Sequence, residues 1–321
     1  MGDTVDRRAR IYVAGMNTLI GAALARELRR QGYVNLLAAG EDEPNLTDAG
    51  AVDAFFARSA PEVVFVAGGR SAGIRGNQQF PADLMLHNLL VECHVLHSAF
   101  RHGVRHLLYL ASSCCYPRGC PQPMRVESLL TGHLEPTNEA YALAKLAGIG
   151  LCHAYARQHG VRFISAIPGD AFGPGNDFSP EESHVVPALL RRMHEAKLAG
   201  AASVGIWGTG TPRRDFVYAD DLADACIAVT QRYEGLGPIN VSAGTDLSIE
   251  EVARLIKDVV GFRGALEFDT SKPDGMPLKV LDTAELQALE WRPRTPLRDA
   301  LQGTYAWFVE QETTSGAGGV R

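Results

Sequence analysis

The chain lacks long apolar runs. Its two longest stretches without aspartate, glutamate, lysine or arginine are Ile11–Ala25 and Leu198–Pro212, and both are too short to span a membrane as a helix. The first residues, Met1–Arg10, are polar and contain no signal-peptide apolar core. We therefore expect neither membrane association nor export of the protein.

Cysteine is scarce, and basic residues do not exceed acidic ones. Six cysteines in 321 residues, two of them adjacent (Cys114 and Cys115), do not match a disulfide framework. The 31 lysines and arginines against 37 aspartates and glutamates leave a net charge of −6, whereas nucleic-acid binders usually carry a basic excess. These counts predict a cytoplasmic protein with free thiols that binds no nucleic acid.

Apolar residues, by contrast, are plentiful. They make up 46% of the chain and charged residues 21%, which excludes disorder over most of its length and suits a soluble globular protein. The length corresponds to one large domain or two intimate ones. The end of the chain, residues 313–321 (TTSGAGGVR), has nothing to bury, and we expect it to be a disordered tail.

The first half of the chain alternates short apolar runs with longer amphipathic ones, which is typical of a parallel sheet whose strands are joined by helices. The predicted strands are Arg10–Ala14, Val34–Ala38, Val63–Ala67, His106–Leu110 and Arg162–Ile167. The predicted helices are Gly21–Gln31, Ala49–Ala57, Pro81–His102 and Glu139–His159. The sequence thus predicts an α/β fold with a doubly wound parallel sheet of the Rossmann type.

After Pro168 the chain changes to irregular segments rich in glycine, proline, histidine and tryptophan, and such insertions usually build the substrate pocket of an α/β protein. Asn240–Ser242 resembles a late strand that returns to the sheet. We predict a dinucleotide-binding domain and a smaller interleaved α+β substrate-binding portion. The domain covers 8–168 and about 215–243, and the smaller portion covers about 169–214 and 244–311.

The helix pattern over 82–101 carries a wider apolar stripe than one sheet contact needs. Part of that stripe is therefore expected to face a second subunit.

The first predicted strand runs into a glycine-rich turn, Gly15–Gly21 (GMNTLIG), and then into a helix. Such a turn lets backbone N–H groups reach a pyrophosphate at the N-terminus of the helix. Thr18 stands where a middle glycine is expected. Asp48 and the glycine pair Gly68–Gly69 after the third strand support a nucleotide site, while the alternative is that the glycines serve tight packing alone.

Tyr141 and Lys145 are four residues apart on a predicted helix and so share one face of it. A nearby ammonium lowers the pKa of a phenol, which would let Tyr141 exchange a proton near neutral pH. Ser112, at the end of the neighbouring strand, could hydrogen-bond the same substrate oxygen. A Tyr-x-x-x-Lys pair alone is usually a surface pair, but together with the serine and the glycine-rich turn it indicates a catalytic site.

Five stretches match a known family, and they are Ser112–Pro117, Leu134–Lys145, Ser183–Arg192, Trp207–Phe216 and Ser271–Gly275. With the glycine-rich turn they resemble an extended short-chain dehydrogenase/reductase. More narrowly, they resemble the GDP-L-fucose synthase family, also known as GDP-4-keto-6-deoxymannose 3,5-epimerase-reductases. The similarity runs from Arg10 to Gln311, and the Ser-His-Val-Val-Pro and Ser-Lys-Pro-Asp-Gly segments are its most specific parts.

The resemblance implies two reactions in one pocket. The C4 ketone of the sugar acidifies the protons on C3 and C5, and Cys114 and His184 match the acid–base pair that moves them, since a thiol and an imidazole both exchange protons close to neutrality. Reduced nicotinamide then delivers hydride to C4, with Tyr141 protonating the oxygen, Lys145 tuning the tyrosine and Ser112 orienting the substrate. The alternatives are that Cys114 is an inert buried thiol and that His184 caps the following helix.

Binding residues also follow from the resemblance. The substrate is assigned to Arg192, Trp207, Arg214 and Lys279, whose cations would hold its diphosphate, although Trp207 could instead belong to the core. Besides Tyr141 and Lys145, the residues assigned to the cofactor are Gly15, Asn17, Thr18, Leu19, Ile20, Gly21, Asp48, Gly68 and Asn88. The implied partners are a GDP-sugar and a second copy of the chain in a homodimer, and no metal is expected.

The cofactor end departs from the family pattern. Ala39 and Glu41 stand where arginines usually meet the 2′-phosphate of NADPH, and the acidic residues over 41–43 would repel a phosphate. Acidic residues after the second strand suit a free ribose hydroxyl instead. The resemblance therefore implies NADP(H), with NAD(H) as the alternative, and Arg70 or Arg75 could replace the missing charge.

We expect a nucleotide-sugar epimerase-reductase that acts on a GDP-4-keto-6-deoxy-hexose. The first alternative is a cofactor-independent epimerase that has lost the reductase step, because Cys114 and His184 need no exchangeable cofactor. The segment Pro168–Asp170, which replaces the family's Pro-Thr-Asn, adds to the drift near the cofactor. The second alternative is a catalytically idle homologue that binds a nucleotide sugar, although all five catalytic residues are present.

Overall fold

The computed structural model describes residues 5–37, 43–180, 183–272 and 274–317. Within these ranges the strands are β1 Ile11–Ala14, β2 Leu36–Leu37, β3 Val63–Val66, β4 His106–Leu110, β5 Arg162–Pro168, β6 Asp170–Phe172, β7 Ser203–Trp207, β8 Arg213–Tyr218, β9 Ile239–Val241, β10 Asp246–Ser248, β11 Ala265–Asp269 and β12 Leu278–Lys279. The helices are α1 Leu19–Arg30, α2 Ala49–Ser59, α3 Ile74–Gln79, α4 Pro81–Arg101, α5 Glu139–His159, α6 Val185–Leu198, α7 Ala219–Arg232, α8 Ile249–Val260, α9 Ala284–Ala288 and α10 Leu297–Ala317. Short 3₁₀ turns lie at Ser113–Cys115 and Val126–Ser128.

A six-stranded parallel sheet forms the centre of the protein, in the order β2-β1-β3-β4-β5-β9. Its inner strands are continuous apolar runs, such as Val63–Val66, because a parallel sheet is covered on both faces. The direction of strand addition reverses between β1 and β3. In a doubly wound sheet the crevice at the carboxyl ends of such a strand pair is where ligands bind. The predicted Rossmann-type fold is confirmed, and the predicted late strand at Asn240–Ser242 is β9.

Two apolar cores cover the faces of the central sheet. Helices α2, α4 and α5 pack on one face through residues such as Phe56, Val95 and Ile149. Helices α1 and α7 pack on the other face, with Leu24 and Ile227 in its core. Helices on both faces make the sheet doubly wound and leave its strand ends as the open edge.

A third core joins the elements that follow β5. It contains α6, α8 and α10 together with β7 and β8, and Leu190, Phe216 and Ile256 lie at its centre. Strand β8 pairs with β6, β10 and β12, and β7 pairs with β11. Since β8 lies between β10 and β12 and also meets β6, it brings segments that are distant in sequence to one side of the crevice.

Strands β2 and β6 differ from the prediction for a physical reason. Strand β2 is shorter than the predicted Val34–Ala38: Val34 is 72% exposed, and Ala38 lies outside the described residues. Strand β6 was not predicted, because its pairing with β8 is a contact between distant segments that no local pattern records.

The predicted disordered tail over 313–321 is wrong for its first part. Helix α10 continues to Ala317, and the Thr313 and Thr314 hydroxyls both donate to the Glu310 carbonyl at 2.8 Å. Extending an existing helix adds a hydrogen bond for each residue without the cost of a new nucleus. Residues 318–321 lie outside the described part of the chain. In that part, no helix combines the length and the apolar character needed to cross a membrane.

Candidate active site

The glycine-rich turn lies at the carboxyl end of β1, against the end of β3. Gly15 has a φ of +86°, and a Cβ placed on it would lie 2.4 Å from Gly68 Cα, so this position requires glycine. Thr18 caps α1: its hydroxyl accepts from the Gly21 N–H at 3.1 Å and donates to the Gly15 carbonyl at 2.8 Å. The threonine that replaces a middle glycine therefore closes the turn, and the N-terminus of α1 faces the crevice, as a pyrophosphate site requires.

Gly15→Ala is expected to lower the free energy of unfolding by about 2–4 kcal/mol and to abolish cofactor binding, because strain at positive φ adds to a clash with Gly68. The matched control is Gly103→Ala, where φ is +78° but nothing lies within 4 Å of the new Cβ, so only about 1–2 kcal/mol is lost. Urea unfolding and NADPH titration measure both effects. Equal urea midpoints for the two variants would contradict the close approach of Gly15 to Gly68.

Glu43 lies over the same turn. Its carboxylate accepts hydrogen bonds from the backbone N–H groups of Gly15 and Met16. Burial raises the pKa of Glu43, and these two hydrogen bonds oppose the rise. An acidic side chain is thus held at the turn itself. Ala39 and Glu41, the positions predicted to replace the family's arginines, lie outside the described residues.

The remaining residues assigned to the cofactor occupy different settings. Asn17 is exposed in the turn, and Leu19 and Ile20 begin α1 half-buried. Asp48 is exposed and caps α2, accepting from the Gly50 N–H at 2.8 Å. That capping role explains Asp48 structurally, and its contact with a cofactor stays a prediction.

Asn88 lies buried beside the crevice. Its Nδ2 donates to the carbonyl oxygens of Arg70 at 2.9 Å and Leu84 at 2.7 Å. Its Oδ1 is buried and has no hydrogen-bond partner among the described residues. A Cβ on Gly69 would lie 2.4 Å from this oxygen and 3.6 Å from Lys145 Nζ. Asn88 and Lys145 therefore meet at the end of β3.

Ser112, Cys114 and Tyr141 come together at the end of β4. Ser112 caps the 3₁₀ turn, and its Oγ accepts from the Cys114 N–H at 3.2 Å. The Ser112 hydroxyl also hydrogen-bonds Tyr141, which is half-buried at the start of α5. Asn138 Nδ2 donates to Cys114 Sγ at 3.2 Å. Asn138 was not predicted as a site residue, although it lies within the matched stretch Leu134–Lys145.

Lys145 is buried on α5, where its ammonium is 3.2 Å from Glu92 Oε1 and donates to the Leu110 carbonyl oxygen at 3.2 Å. The predicted lowering of the Tyr141 pKa by this ammonium is wrong. Burial raises the pKa of Tyr141, and the charges of Cys114 and Glu92 act in the same direction. The tyrosine is therefore held protonated, as a proton donor must be. Glu92 was also missed in the sequence.

His184 and three charged residues form the opposite side of the site. Asp170 pairs with Lys279, whose Nζ is 3.0 Å from Oδ1, and lies 3.9 Å from Arg214 Nε. Burial acts to raise the pKa of Asp170, but Lys279 and Arg214 outweigh it and lower that pKa. At Lys279, burial acts to lower the pKa and the charge of Asp170 acts to raise it, and the net effect raises the pKa of Lys279.

His184 precedes α6, and its side chain makes no capping hydrogen bond within the described residues. Desolvation by the surrounding residues lowers the pKa of His184, while the charge of Asp170 acts to raise it. A lowered pKa leaves the imidazole neutral near pH 7, able to accept a proton. The charge of Cys114 adds to the raised pKa of Lys279 and opposes the lowering that burial causes in the pKa of Arg214, so the two sides of the site lie close together.

Arg192 and Trp207 lie further out. The Arg192 guanidinium donates to the Gly205 carbonyl oxygen. Trp207 is 65% exposed, so the alternative that it belongs to the core is wrong. Lys272 Nζ lies 5.8 Å from its ring centroid. An exposed aromatic face of this kind is free to contact a ligand.

Comparison with known proteins shows where this arrangement belongs. The family model described as the NAD dependent epimerase/dehydratase family matches residues 11–244. The curated relative GDP-L-fucose synthase 1 from Arabidopsis thaliana is 48% identical over 305 residues, covering 95% of this chain and 94% of the relative. This chain belongs to the GDP-L-fucose synthase family. The family's member from Escherichia coli (strain K12) is 43% identical, covering 95% of this chain and 98% of the relative.

A solved structure extends the family likeness to the fold. The crystal structure of a GDP-L-fucose synthetase from Naegleria fowleri bound to NADP superposes with a TM-score of 0.90 at 29% identity, covering 98% of this chain and 96% of that chain. The predicted resemblance to the GDP-L-fucose synthase family is confirmed, and so is the Rossmann-type architecture.

Proposed function

We propose that the protein is a GDP-sugar epimerase-reductase that converts a GDP-4-keto-6-deoxy-hexose into a GDP-L-fucose-type product. The observation that carries the proposal is the meeting of two separate proton-transfer sets at one crevice. Ser112 and Tyr141 lie on the sheet side, while Cys114 faces the wall that carries His184. One set suits reduction of a carbonyl group, and the other suits exchange of protons on carbon.

Epimerisation uses the acidity that a C4 ketone gives to the protons on C3 and C5. One member of the Cys114–His184 pair takes a proton from carbon, the electron pair moves toward the C4 oxygen, and the other member returns a proton to the opposite face. Asn138 donates to Cys114 Sγ and so fixes the position of the sulfur. The neutral His184 can take or give a proton near pH 7.

Reduction follows at C4. A reduced nicotinamide, when bound, supplies the hydride. Tyr141 gives its proton to the C4 oxygen as that oxygen gains the electron pair of the carbonyl bond, and Ser112 orients the same oxygen by a hydrogen bond. Lys145 stands beside this pair with its ammonium fixed.

The charged wall of the site suits the nucleotide diphosphate. Arg214 and Lys279 pair with Asp170 beside Cys114, and Arg192 lies on α6, the helix that follows His184, so three cations are available on this side of the site. Guanidinium and ammonium groups bind phosphate oxygens through charge-assisted hydrogen bonds. Asp170 offsets part of this positive charge before a substrate enters.

Incubation with GDP-4-keto-6-deoxymannose in deuterated water tests the proposal. With NADPH present we expect deuterium at C3 and C5 and a product reduced at C4, detected by mass spectrometry and NMR. Deuterium without reduction, with either NADPH or NADH, would support the cofactor-independent epimerase instead. If the protein catalyses neither deuterium exchange nor reduction, the epimerase-reductase and the cofactor-independent epimerase are both wrong, and a nucleotide-sugar-binding homologue remains.

We propose NADP(H) as the cofactor, with NAD(H) also accepted. The turn at Gly15 and Gly68 admits backbone only, and the N-terminus of α1 faces it, so the residues present fit a dinucleotide pyrophosphate. Glu43 at the turn supports acceptance of NAD(H), because a carboxylate suits ribose hydroxyls and repels a 2′-phosphate. Arg70 and Arg75 are both exposed, and the Arg70 backbone lies beside Asn88, so these two cations offer replacement charge.

Glu43→Gln is expected to raise the affinity for NADPH relative to NADH by about tenfold, or about 1.4 kcal/mol, because the variant removes a negative charge beside the turn. Fluorescence titration with each dinucleotide measures the ratio. The control is Glu62→Gln, a half-exposed carboxylate that accepts from the Arg10 N–H at 2.8 Å before β1, away from the turn. A ratio that stays at the wild-type value would remove Glu43 from cofactor selection.

We also propose a homodimer and a cytoplasmic location. Leu86 on α4 is 59% exposed and Leu143 on α5 is 43% exposed, so the two packed helices present apolar side chains to solvent. Light scattering of the wild type and of Leu86→Glu tests the dimer, and a wild-type monomer would overturn it. All six cysteines are free, which supports a reducing compartment.

A further inference from the structure

A buried carboxylate lies behind the catalytic lysine and has no place in the reaction described above. Glu92 is 1% exposed in the middle of α4. Its Oε1 accepts a hydrogen bond from the Tyr109 hydroxyl at 2.5 Å and lies 3.2 Å from Lys145 Nζ. Glu92, Tyr109 and Lys145 thus join α4, β4 and α5, and we call them the Glu92 network.

Packing alone does not explain a charge at this position. Removing a carboxylate and an ammonium from water costs free energy that apolar side chains of similar volume would not cost. The second oxygen of Glu92, Oε2, is buried without a hydrogen-bond partner among the described residues, which adds to that cost. Around it, α4 and α5 pack through apolar residues such as Val95, Leu96 and Ile149.

The Glu92 network holds the lysine at the crevice. Lys145 Nζ lies beside Gly69, at the end of β3, where an added Cβ would be 3.6 Å away. Tyr109 is held in turn by α5, because a Cβ on Gly148 would lie 2.4 Å from its Cζ. The ring position fixes the hydroxyl, the hydroxyl fixes the Glu92 carboxylate, and the carboxylate fixes the ammonium.

We propose that Glu92 is a positioning residue for the hydride step: it holds the Lys145 ammonium at the crevice and balances its charge, so that Tyr141 keeps its proton until the C4 oxygen takes it. The identity of that step rests on the proposed function. The charge of Glu92 also reaches Tyr141, where it adds to burial in raising the pKa of the phenol.

The groups that feel the charge of Glu92 come from several elements. They are Cys93 on α4, Tyr109 on β4, Cys115 in the 3₁₀ turn, and Tyr141, Lys145 and Cys152 on α5. Lys145 is the cation of this set, and the others are neutral when protonated. Removing the carboxylate charge therefore leaves the ammonium without its counter-ion and leaves Tyr141 with one negative neighbour fewer.

Glu92→Gln tests the proposal because it keeps the shape of the side chain and removes its charge. We expect reduction to fall about 10- to 100-fold through misplacement of Lys145, while deuterium exchange at C3 and C5 keeps its wild-type rate. The pH above which reduction declines should move to lower values, since Tyr141 would lose its proton more easily. NADPH affinity, measured without sugar, should fall about tenfold.

Two further variants separate positioning from stability. Glu27→Gln removes another buried carboxylate, on α1, which is 4% exposed and lies 2.6 Å from Arg30 and 3.1 Å from Arg294. It should lower the melting temperature without changing NADPH affinity or the ratio of reduction to exchange. Tyr109→Phe keeps the Glu92–Lys145 pair but loses the orienting hydroxyl, and it should slow reduction less than Glu92→Gln. If Glu92→Gln does not fold, the rate of reduction by Tyr109→Phe tests the positioning role instead.

The proposal is overturned if Glu92→Gln, or Tyr109→Phe in its place, reduces as fast as Glu27→Gln. It is equally overturned if reduction and exchange fall together, which is what a purely structural role would produce. If the wild-type protein does not convert the sugar, the proposed function is wrong. The NADPH affinity of Glu92→Gln then tests the positioning role of Glu92 by itself. A loss of about tenfold relative to Glu27→Gln supports the positioning role, and an unchanged affinity rejects it.

Discussion

Tyr141→Phe is expected to slow reduction at C4 by about 10²- to 10⁴-fold, the usual contribution of a positioned general acid. The hydroxyl is the proton source for the C4 oxygen, and burial raises its pKa, so it is protonated throughout the neutral range. Exchange of the C3 and C5 protons should continue, because it uses Cys114 and His184. NADPH oxidation and deuterium incorporation, followed in the same sample, measure the two steps separately.

Tyr155→Phe is the matched control for this variant. Tyr155 lies on the same helix, α5, but about four turns further along it than Tyr141, where its hydroxyl meets His97 Nδ1 at 2.9 Å, so reduction should be unaffected. A Tyr141→Phe variant that reduces within about tenfold of the wild type would place the proton donor elsewhere. Loss of exchange together with reduction would mean that the substitution disturbed the whole pocket.

The central sheet and its helices were predictable because each buries a continuous apolar face. Strand β3 is buried at every residue, and the helices α4 and α5 were predicted to within one residue at each end. The site residues on this frame were predictable for a topological reason. Gly15, Gly68 and Ser112 each follow a parallel strand, and the carboxyl ends of parallel strands share one edge.

Contacts between distant elements could not be predicted from local sequence patterns. Glu92 lies within an amphipathic helix pattern, where a glutamate is normally solvent-facing, and nothing local reveals its partners on β4 and α5. Glu43 could be placed near the cofactor but not on the N–H groups of the turn. The prediction for the pKa of Tyr141 failed for the same reason: it counted the ammonium of Lys145 without burial or the neighbouring negative charges.

Cys114→Ser is expected to lower deuterium incorporation at C3 and C5 by about 10²- to 10⁴-fold, because a serine hydroxyl does not ionise near neutral pH and is a poor proton acceptor. Reduction should persist, since Tyr141, Lys145 and Ser112 are untouched. The variant should therefore give a sugar that is reduced at C4 without inversion at C3 and C5. NMR of the isolated nucleotide sugar distinguishes this product from that of the wild type.

The adjacent cysteine supplies the control that makes this test selective. Cys115 is fully buried, its Sγ points to the Ala142 carbonyl oxygen at 3.8 Å, and burial raises the pKa of its thiol, so it cannot act as a base at neutral pH. Cys115→Ser should keep wild-type exchange apart from any loss of stability. Wild-type exchange by Cys114→Ser would exclude this thiol from the acid–base pair. Retained exchange with lost reduction would assign the thiol to the hydride step instead.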